Sequence, residues 1–216
     1  MKEKRLEFKF KIQSRSDLLI KEETVQLLAE AGCESVWLGA ESGSQRILDA
    51  MDKGITVGQI YQATFLLRMY KIKPSFFLQF GYLGEVMEDI RLTIKMINDL
   101  LPDDIGVSVS YPLPGTVFYN KVKEELKTKA NWVDSDDLDL MFRNTYSPHF
   151  YKRLHRYIHK TYRKKQAGNY LAVLFNSKKR NDIKYRRLLA YPYYYLMAEV
   201  EKYLIKKIEP NAFAGL

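Results

Sequence analysis

The sequence predicts an α/β protein in which about four parallel strands form an open sheet, followed by a helical extension at the carboxyl end. Three observations carry this. Strand-like segments at residues 6–12, 35–40, 75–80 and 105–110 alternate with helix-like segments, the mark of βαβ units. In each of these strands one parity is purely apolar: Leu6/Phe8/Phe10/Ile12, Val36/Leu38/Ala40, Phe76/Leu78/Phe80 and Ile105/Val107/Val109. Finally, charge divides along the chain. Residues 1–150 hold 19 basic and 22 acidic side chains, net −3, whereas residues 151–216 hold 16 and 4, net +12. The expected organisation is a sheet domain over residues 1–130 and a basic, Tyr-rich helical extension over residues 131–216.

Residues 6–12 set apolar side chains against Glu7, Lys9 and Lys11, the period of a strand with one covered face. Residues 21–31 place Val25, Leu27, Leu28 and Ala31 at helical spacing, and Gly32 stops the helix. The strand at 35–40 leads into a short helix at 44–51, ended by Asp52-Lys-Gly54. Thr56 caps a longer helix running to Tyr70. After the strand at 75–80, a helix at 86–101 aligns Ile90, Ile94, Ile97 and Leu101 on one face. The strand at 105–110, a helix at 116–126 and a helix at 148–166 complete the series. About eight strands are needed for a closed, filled barrel. The strand at 6–12 is therefore expected as an exposed edge, with Lys9 and Lys11 opposing edge-to-edge pairing.

The second strand face holds Gln13/Arg15, Trp37/Gly39/Glu41, Ser75/Phe77/Gln79 and Gly106/Ser108/Ser110. It suits either a solvated sheet face, which the first strand fits, or the inner wall of a barrel, which Trp37 and Phe77 fit better. Trp37-Leu-Gly-Ala-Glu-Ser-Gly-Ser44 puts Glu41 at the carboxyl end of a parallel strand, where α/β sheets bind ligands. A carboxylate there can accept two hydrogen bonds from a ribose cis-diol, and Gly43 permits close backbone approach. The same residues also suit an ordinary strand-to-helix turn with Ser42 or Ser44 as N-cap.

Two further segments sit after later strands: Gln79-Phe-Gly-Tyr-Leu-Gly-Glu85 and the Pro-rich exit Ser110-Tyr-Pro-Leu-Pro-Gly-Thr116. With Arg15-Ser-Asp17 after the first strand, their order and spacing resemble the later strands of a radical SAM barrel. The similarity extends over roughly residues 6–160. It is nearest the cobalamin-associated branch of the anaerobic Mg-protoporphyrin cyclase and the cobalamin-dependent radical methylases. The resemblance implies a partial, open TIM-like βα barrel that binds S-adenosylmethionine. It implies that Glu41 and Ser42 hold the ribose, that Gln79 and the Ser110–Tyr111 backbone lie near the adenine or methionine moiety, and that Arg15 meets a carboxylate. It names no catalytic acid or radical relay.

The family's Cys-x3-Cys-x2-Cys motif for a [4Fe–4S] cluster is missing. Cys33, in a helix-to-strand turn, is the chain's one cysteine, and one thiolate cannot hold such a cluster. The cluster and cobalamin are thus expected only in the intact family. This chain reads as the back half of an enzyme, inert by itself, its first two βα units supplied by another polypeptide. The rival reading is a non-catalytic binding or assembly module that docks through its basic tail.

Hydrophobic residues make up 46% of the chain, enough for a core. The N-terminal residues lack the apolar stretch of a signal peptide, no run reaches the length of a membrane span, and one cysteine suits a reducing compartment. A cytoplasmic protein is expected, with a peripheral membrane location as the variant that the tail suggests. No metal site is expected. The acidic run Asn131–Asp137 lacks the Gly and Glu of an EF-hand, and His155 and His159 have zinc-like spacing but no third ligand and several cationic neighbours. Residues 151–216 carry ten of the 16 tyrosines, interleaved with Lys and Arg. This suits helices with solvated charges, an anionic membrane surface or, as the weakest fit, a nucleic-acid backbone.

Several positions depart from the family pattern. Leu83 replaces a Pro, Val86 replaces a capping Thr, Lys71 stands where a helix-ending Gly is expected, and Gly58 falls early in a helix.

Overall fold

The computed structural model describes residues 8–126, 141–174 and 185–209. Two compact units are present: residues 1–79 with 102–107, and residues 80–101 with 108–216.

The first unit is built on an open sheet of four parallel strands in the order β1-β2-β3-β4: β1 (Phe10–Ser14), β2 (Cys33–Glu41), β3 (Lys73–Phe80) and β4 (Asp104–Val109). Three helices belong to this unit: α1 (Glu22–Glu30), α2 (Gln45–Ala50) and α3 (Val57–Met69). The apolar parity is buried throughout β2 and β3, but Val107 of β4 is half-buried, Phe8 ahead of β1 is exposed, and Ser75 on the opposite face is buried. Val36, Leu38, Ala40, Phe76, Leu78 and Ile105 are buried, whereas Trp37, Gly39, Phe77 and Gly106 on the other face are half-buried. The first strand starts later than the alternation at 6–12 suggests. Residues 6 and 7 lie outside the described residues, and β1 runs to Ser14 because its parallel pairing with β2 continues to the Ser14–Leu38 pair. As an edge strand it has no fully buried residue. Lys9, just before it, pairs with Glu34 at 3.0 Å.

Helix ends show how the local sequence acts. Thr56 and Gln59 form a reciprocal capping box at the start of α3: Gln59 N donates to Thr56 Oγ1 at 3.2 Å, and Thr56 N donates to Gln59 Oε1 at 2.8 Å. At its other end Lys71 N donates to Arg68 O and Ile72 N donates to Leu67 O at 2.8 Å, a Schellman motif closed by the buried pair Leu67 and Ile72. That motif puts Lys71 at φ +60°, the left-handed region where glycine is expected.

In the second unit, α4 (Met87–Leu100) buries Ile90, Ile94 and Ile97 as its periodicity predicts. Val86 supplies no capping hydroxyl, but its N–H donates to Asp89 Oδ2 at 2.9 Å, so half of a capping box survives. The next helix, α5 (Val117–Val122), is shorter than the 116–126 expectation. The following one, α6 (Pro148–Leu174), is longer than the 148–166 expectation. It packs against α8 (Tyr191–Ile208), which follows the short α7 (Tyr185–Leu189). Arg153 of α6 pairs with the buried Glu201 of α8 at 3.3 Å. Tyr151, Tyr157 and Tyr162 are core, whereas Tyr185, Tyr193, Tyr195 and Tyr203 are exposed. The acidic run at 131–137 lies outside the described residues.

Candidate functional site

Glu41 ends β2 in an unusual conformation. Its φ is +55°, and Ser42 N donates to Ala40 O at 2.6 Å, closing a three-residue turn with Glu41 at its centre. The parallel register with β3 slips at the same place: Gly39 faces Phe77 and Glu41 faces Leu78, so Ala40 is an extra residue. Such bulges re-aim side chains at strand ends. A non-glycine residue held in this region costs about 1–3 kcal/mol and persists only when its surroundings impose it. Here the imposed result is a carboxylate folded back over Gly39, where an added Cβ would lie 3.3 Å from Glu41 Oε1.

Lys53 holds that carboxylate, with Nζ 2.8 Å from Oε1. Its position comes from the end of α2, where Asp52 N donates to Asp49 O and Lys53 N donates to Leu48 O at 3.1 Å. This second Schellman motif leaves Asp52 at φ +53°. The Glu41 side chain is 17% exposed and that of Lys53 36%, so the pair lies at a partly open surface. Beside it Ser42 is buried, and its Oγ accepts from Ser44 N at 3.1 Å.

Below this carboxyl end, Trp37 and Phe77 stack at 4.6 Å between ring centroids, 26° apart in plane. Gly106 of β4 makes room for them: a Cβ there would lie 3.2 Å from Phe77 Cδ1 and 3.5 Å from Trp37 Cζ3. The sheet face that carries Glu41 thus continues as a half-buried aromatic plate, one that offers a planar, apolar contact.

Arg15 follows β1 and already meets a carboxylate of this chain. Its Nε and one terminal nitrogen donate to Asp17 at 3.0 and 3.1 Å, and the latter also reaches Gly54 O at 3.5 Å. The Arg15 hydrogen bonds hold the Asp17 carboxyl below its ordinary range, and Asp17 raises the Arg15 guanidinium in turn. Gln79 is half-buried near the end of β3, one residue past the Glu41–Leu78 pair. Arg15, Glu41, Ser42 and Gln79 therefore all stand at the carboxyl ends of neighbouring strands. Ser110 and Tyr111 belong to the second unit. There Ser110 N donates to Phe80 O at 2.7 Å, and the buried Ser110 Oγ has no hydrogen-bond partner among the described residues.

The residue that sequence reasoning passed over is Lys53. Asp52-Lys-Gly54 reads as a helix stop, and only the folded turn shows that the stop delivers an ammonium to Glu41. Cys33 lies at the opposite end of β2 from Glu41. It is buried, its Sγ sits 3.6 Å from Ser35 O, and burial raises its thiol pKa. No group of three or more His, Cys, Asp or Glu side chains suited to a metal occurs among the described residues. Nor, among them, is any helix long and apolar enough to cross a membrane.

Residues 1–97 match the family model described as the radical SAM superfamily. A tRNA-2-methylthio-N(6)-dimethylallyladenosine synthase of Sulfurihydrogenibium sp. is 32% identical over 130 residues, which cover 56% of this chain and 30% of the relative. The bacteriochlorophyllide d C-12(1)-methyltransferase of Chlorobaculum tepidum is 28% identical over 127 residues, 58% of this chain and 28% of the relative. The chain thus spans less than a third of these relatives. Among solved structures, the radical S-adenosylmethionine methyltransferase TsrM of Kitasatospora setae, with cobalamin and a [4Fe–4S] cluster bound, superposes with a TM-score of 0.50. It is 24% identical, and the match covers 54% of this chain and 22% of that one. The cobalamin-dependent S-adenosylmethionine radical enzyme OxsB, with aqua-cobalamin bound, gives a TM-score of 0.53 at 17% identity. That match covers 94% of this chain and 35% of the other. These structural likenesses establish a common α/β fold.

Proposed function

We propose that this chain forms part of a radical SAM superfamily domain and provides the ribose and adenine side of an S-adenosylmethionine site, within a methyltransferase-type enzyme of the cobalamin-linked branch. The supporting observation is the strained Glu41 turn at the carboxyl end of β2. Its carboxylate has lone pairs beyond the one given to Lys53, suited to a vicinal diol. Lys53 retains donors for an anionic group of the same ligand. The Trp37–Phe77 plate gives the face an apolar, planar wall, and Gln79 adds an amide near the strand ends.

Cys33 is one buried thiol at the far end of the strand, so the residues present do not fit a [4Fe–4S] cluster. Those ligands have to come from other residues than these. The function of this chain alone is therefore binding and not turnover. The rival role, a docking module, draws on the helical extension and is independent of Glu41.

Calorimetry with S-adenosylmethionine on the wild type, Glu41→Ala and Glu41→Gln tests the proposal. Weak binding, on the order of millimolar or about −4 kcal/mol, is expected for the wild type. Glu41→Ala should weaken it about tenfold or more, and Glu41→Gln, which keeps one carbonyl acceptor, should fall between. Equal binding by all three proteins, or none by the wild type, overturns the proposal.

A further inference from the structure

One exposed surface of α8 is largely apolar. Tyr193, Leu196, Val200 and Tyr203 recur at spacings of three and four residues, which puts them on one side of the helix. Leu196 is 63% exposed, Tyr203 58% and Tyr193 52%. The opposite side, Ala198, Glu201 and Ile205, is buried. Exposed apolar surface of this kind marks an interaction site.

The charges around it identify the partner. The two acids in the middle of α8 are both drawn to bases of α6: Glu201 to Arg153 at 3.3 Å, and Glu199 to Lys164 at 3.6 Å. Lys206 and Lys207 remain exposed at the end of the same helix, with Lys207 Nζ 5.3 Å from the centre of the Tyr203 ring. Lys160 donates to Tyr193 OH at 2.8 Å and lies 4.5 Å above that ring. Apolar side chains, tyrosines with wet hydroxyl tips and cations therefore occur together along one surface. A helix that lies in a bilayer interface has that composition, and excess Lys and Arg add attraction to anionic headgroups. We infer that the α8 stripe seats this protein on an anionic membrane surface, with Leu196 and Tyr203 entering the headgroup region and the flanking lysines meeting lipid phosphates. The net charge of +12 over residues 151–216 acts in the same direction. This inference does not depend on the Glu41 site.

Sedimentation of the full chain with phosphatidylcholine vesicles, with and without phosphatidylglycerol, tests it. Binding should favour the anionic vesicles at least about tenfold and decline as salt shortens the Debye length. Leu196→Glu and the double variant Lys206→Glu/Lys207→Glu should each lower binding about tenfold with unchanged circular dichroism, because the altered side chains are exposed. Equal binding to neutral vesicles, or none to anionic vesicles at low salt, overturns the inference. So does an unimpaired Leu196→Glu protein, which would reduce the surface to a simple polyanion binder. Self-association that Leu196→Glu abolishes, without vesicle binding, would make the stripe a helix-pairing face and also overturn it.

Discussion

Glu41 and Lys53 meet at 2.8 Å, and each owes its place to a non-glycine residue in the left-handed region: Glu41 itself, and Asp52 immediately before Lys53. Two turns, one closing a strand and one closing a helix, are thus set against each other across a single ion pair. The pair is partly open to water, so its net contribution to stability is small, about 0–1 kcal/mol. Lys53→Ala should lower the urea-unfolding free energy by no more than that. A loss above about 2 kcal/mol would show that Lys53 packs as a core residue and not as a surface cation.

Lys71 occupies a glycine position. At φ +60° an L-residue carries a conformational cost of about 1 kcal/mol that glycine avoids, and the Schellman hydrogen bonds around it are all backbone. Lys71→Gly should therefore raise stability by up to about 1 kcal/mol, even though glycine gains freedom in the unfolded chain. A lowered melting temperature would mean that the exposed Lys71 side chain contributes more than its backbone costs.

Half-buried Arg153 is the partner of Glu201, whose side chain is 5% exposed. Arg153→Ala leaves a carboxylate uncompensated between α6 and α8, a loss of about 3–5 kcal/mol. Arg153→Met with Glu201→Leu removes both charges and should recover most of it. If the double variant is as unstable as the single one, the pair does more than satisfy itself.

His155 gives the extension a pH dependence. Burial, and then the neighbouring Arg156, hold its imidazole below the ordinary value of 6.5, and the His159 ring lies tilted beside it, 4.5 Å between ring centres. The unfolded chain therefore takes up the His155 proton first as pH falls, so folding stability declines as pH drops through about 6.5. It is unaffected by this group above that value. His155→Asn should flatten the decline between neutral pH and pH 5 in thermal melts. An unchanged slope would assign the decline to other groups.

Anaerobic reconstitution with iron and sulfide should yield no stoichiometric cluster on the monomeric chain, because Cys33 is the sole thiol and is buried. Bound iron and sulfide at cluster stoichiometry, read by absorbance and iron content, would contradict this.

Much of the fold was legible because periodicity reports burial. Strand parity assigned Val36, Leu38, Phe76 and Ile105 to the covered face, and Thr56 announced the start of α3, although not the reciprocal bond from Gln59. Boundaries were less legible. The first strand was placed too early, since alternation shows which side chains are covered but not where pairing with β2 ends. The Glu41–Lys53 contact could not be read at all. It depends on two left-handed backbone positions, Glu41 and Asp52, and on a contact twelve residues apart that local patterning does not report. In the extension, composition showed basic and aromatic residues together. Only the helix pairing divided the tyrosines into Tyr151, Tyr157 and Tyr162 inside and Tyr193 and Tyr203 outside.

The turn at Glu41 has a consequence for how this protein can be improved. Selection for thermal robustness alone would install glycine there, easing the backbone while deleting the carboxylate. Glu41→Gly should then melt no lower than Glu41→Ala and yet be equally impaired in ligand binding. Stability screens run without a binding assay would reward the loss of the site, and the position where the two screens diverge marks where robustness has been exchanged for recognition.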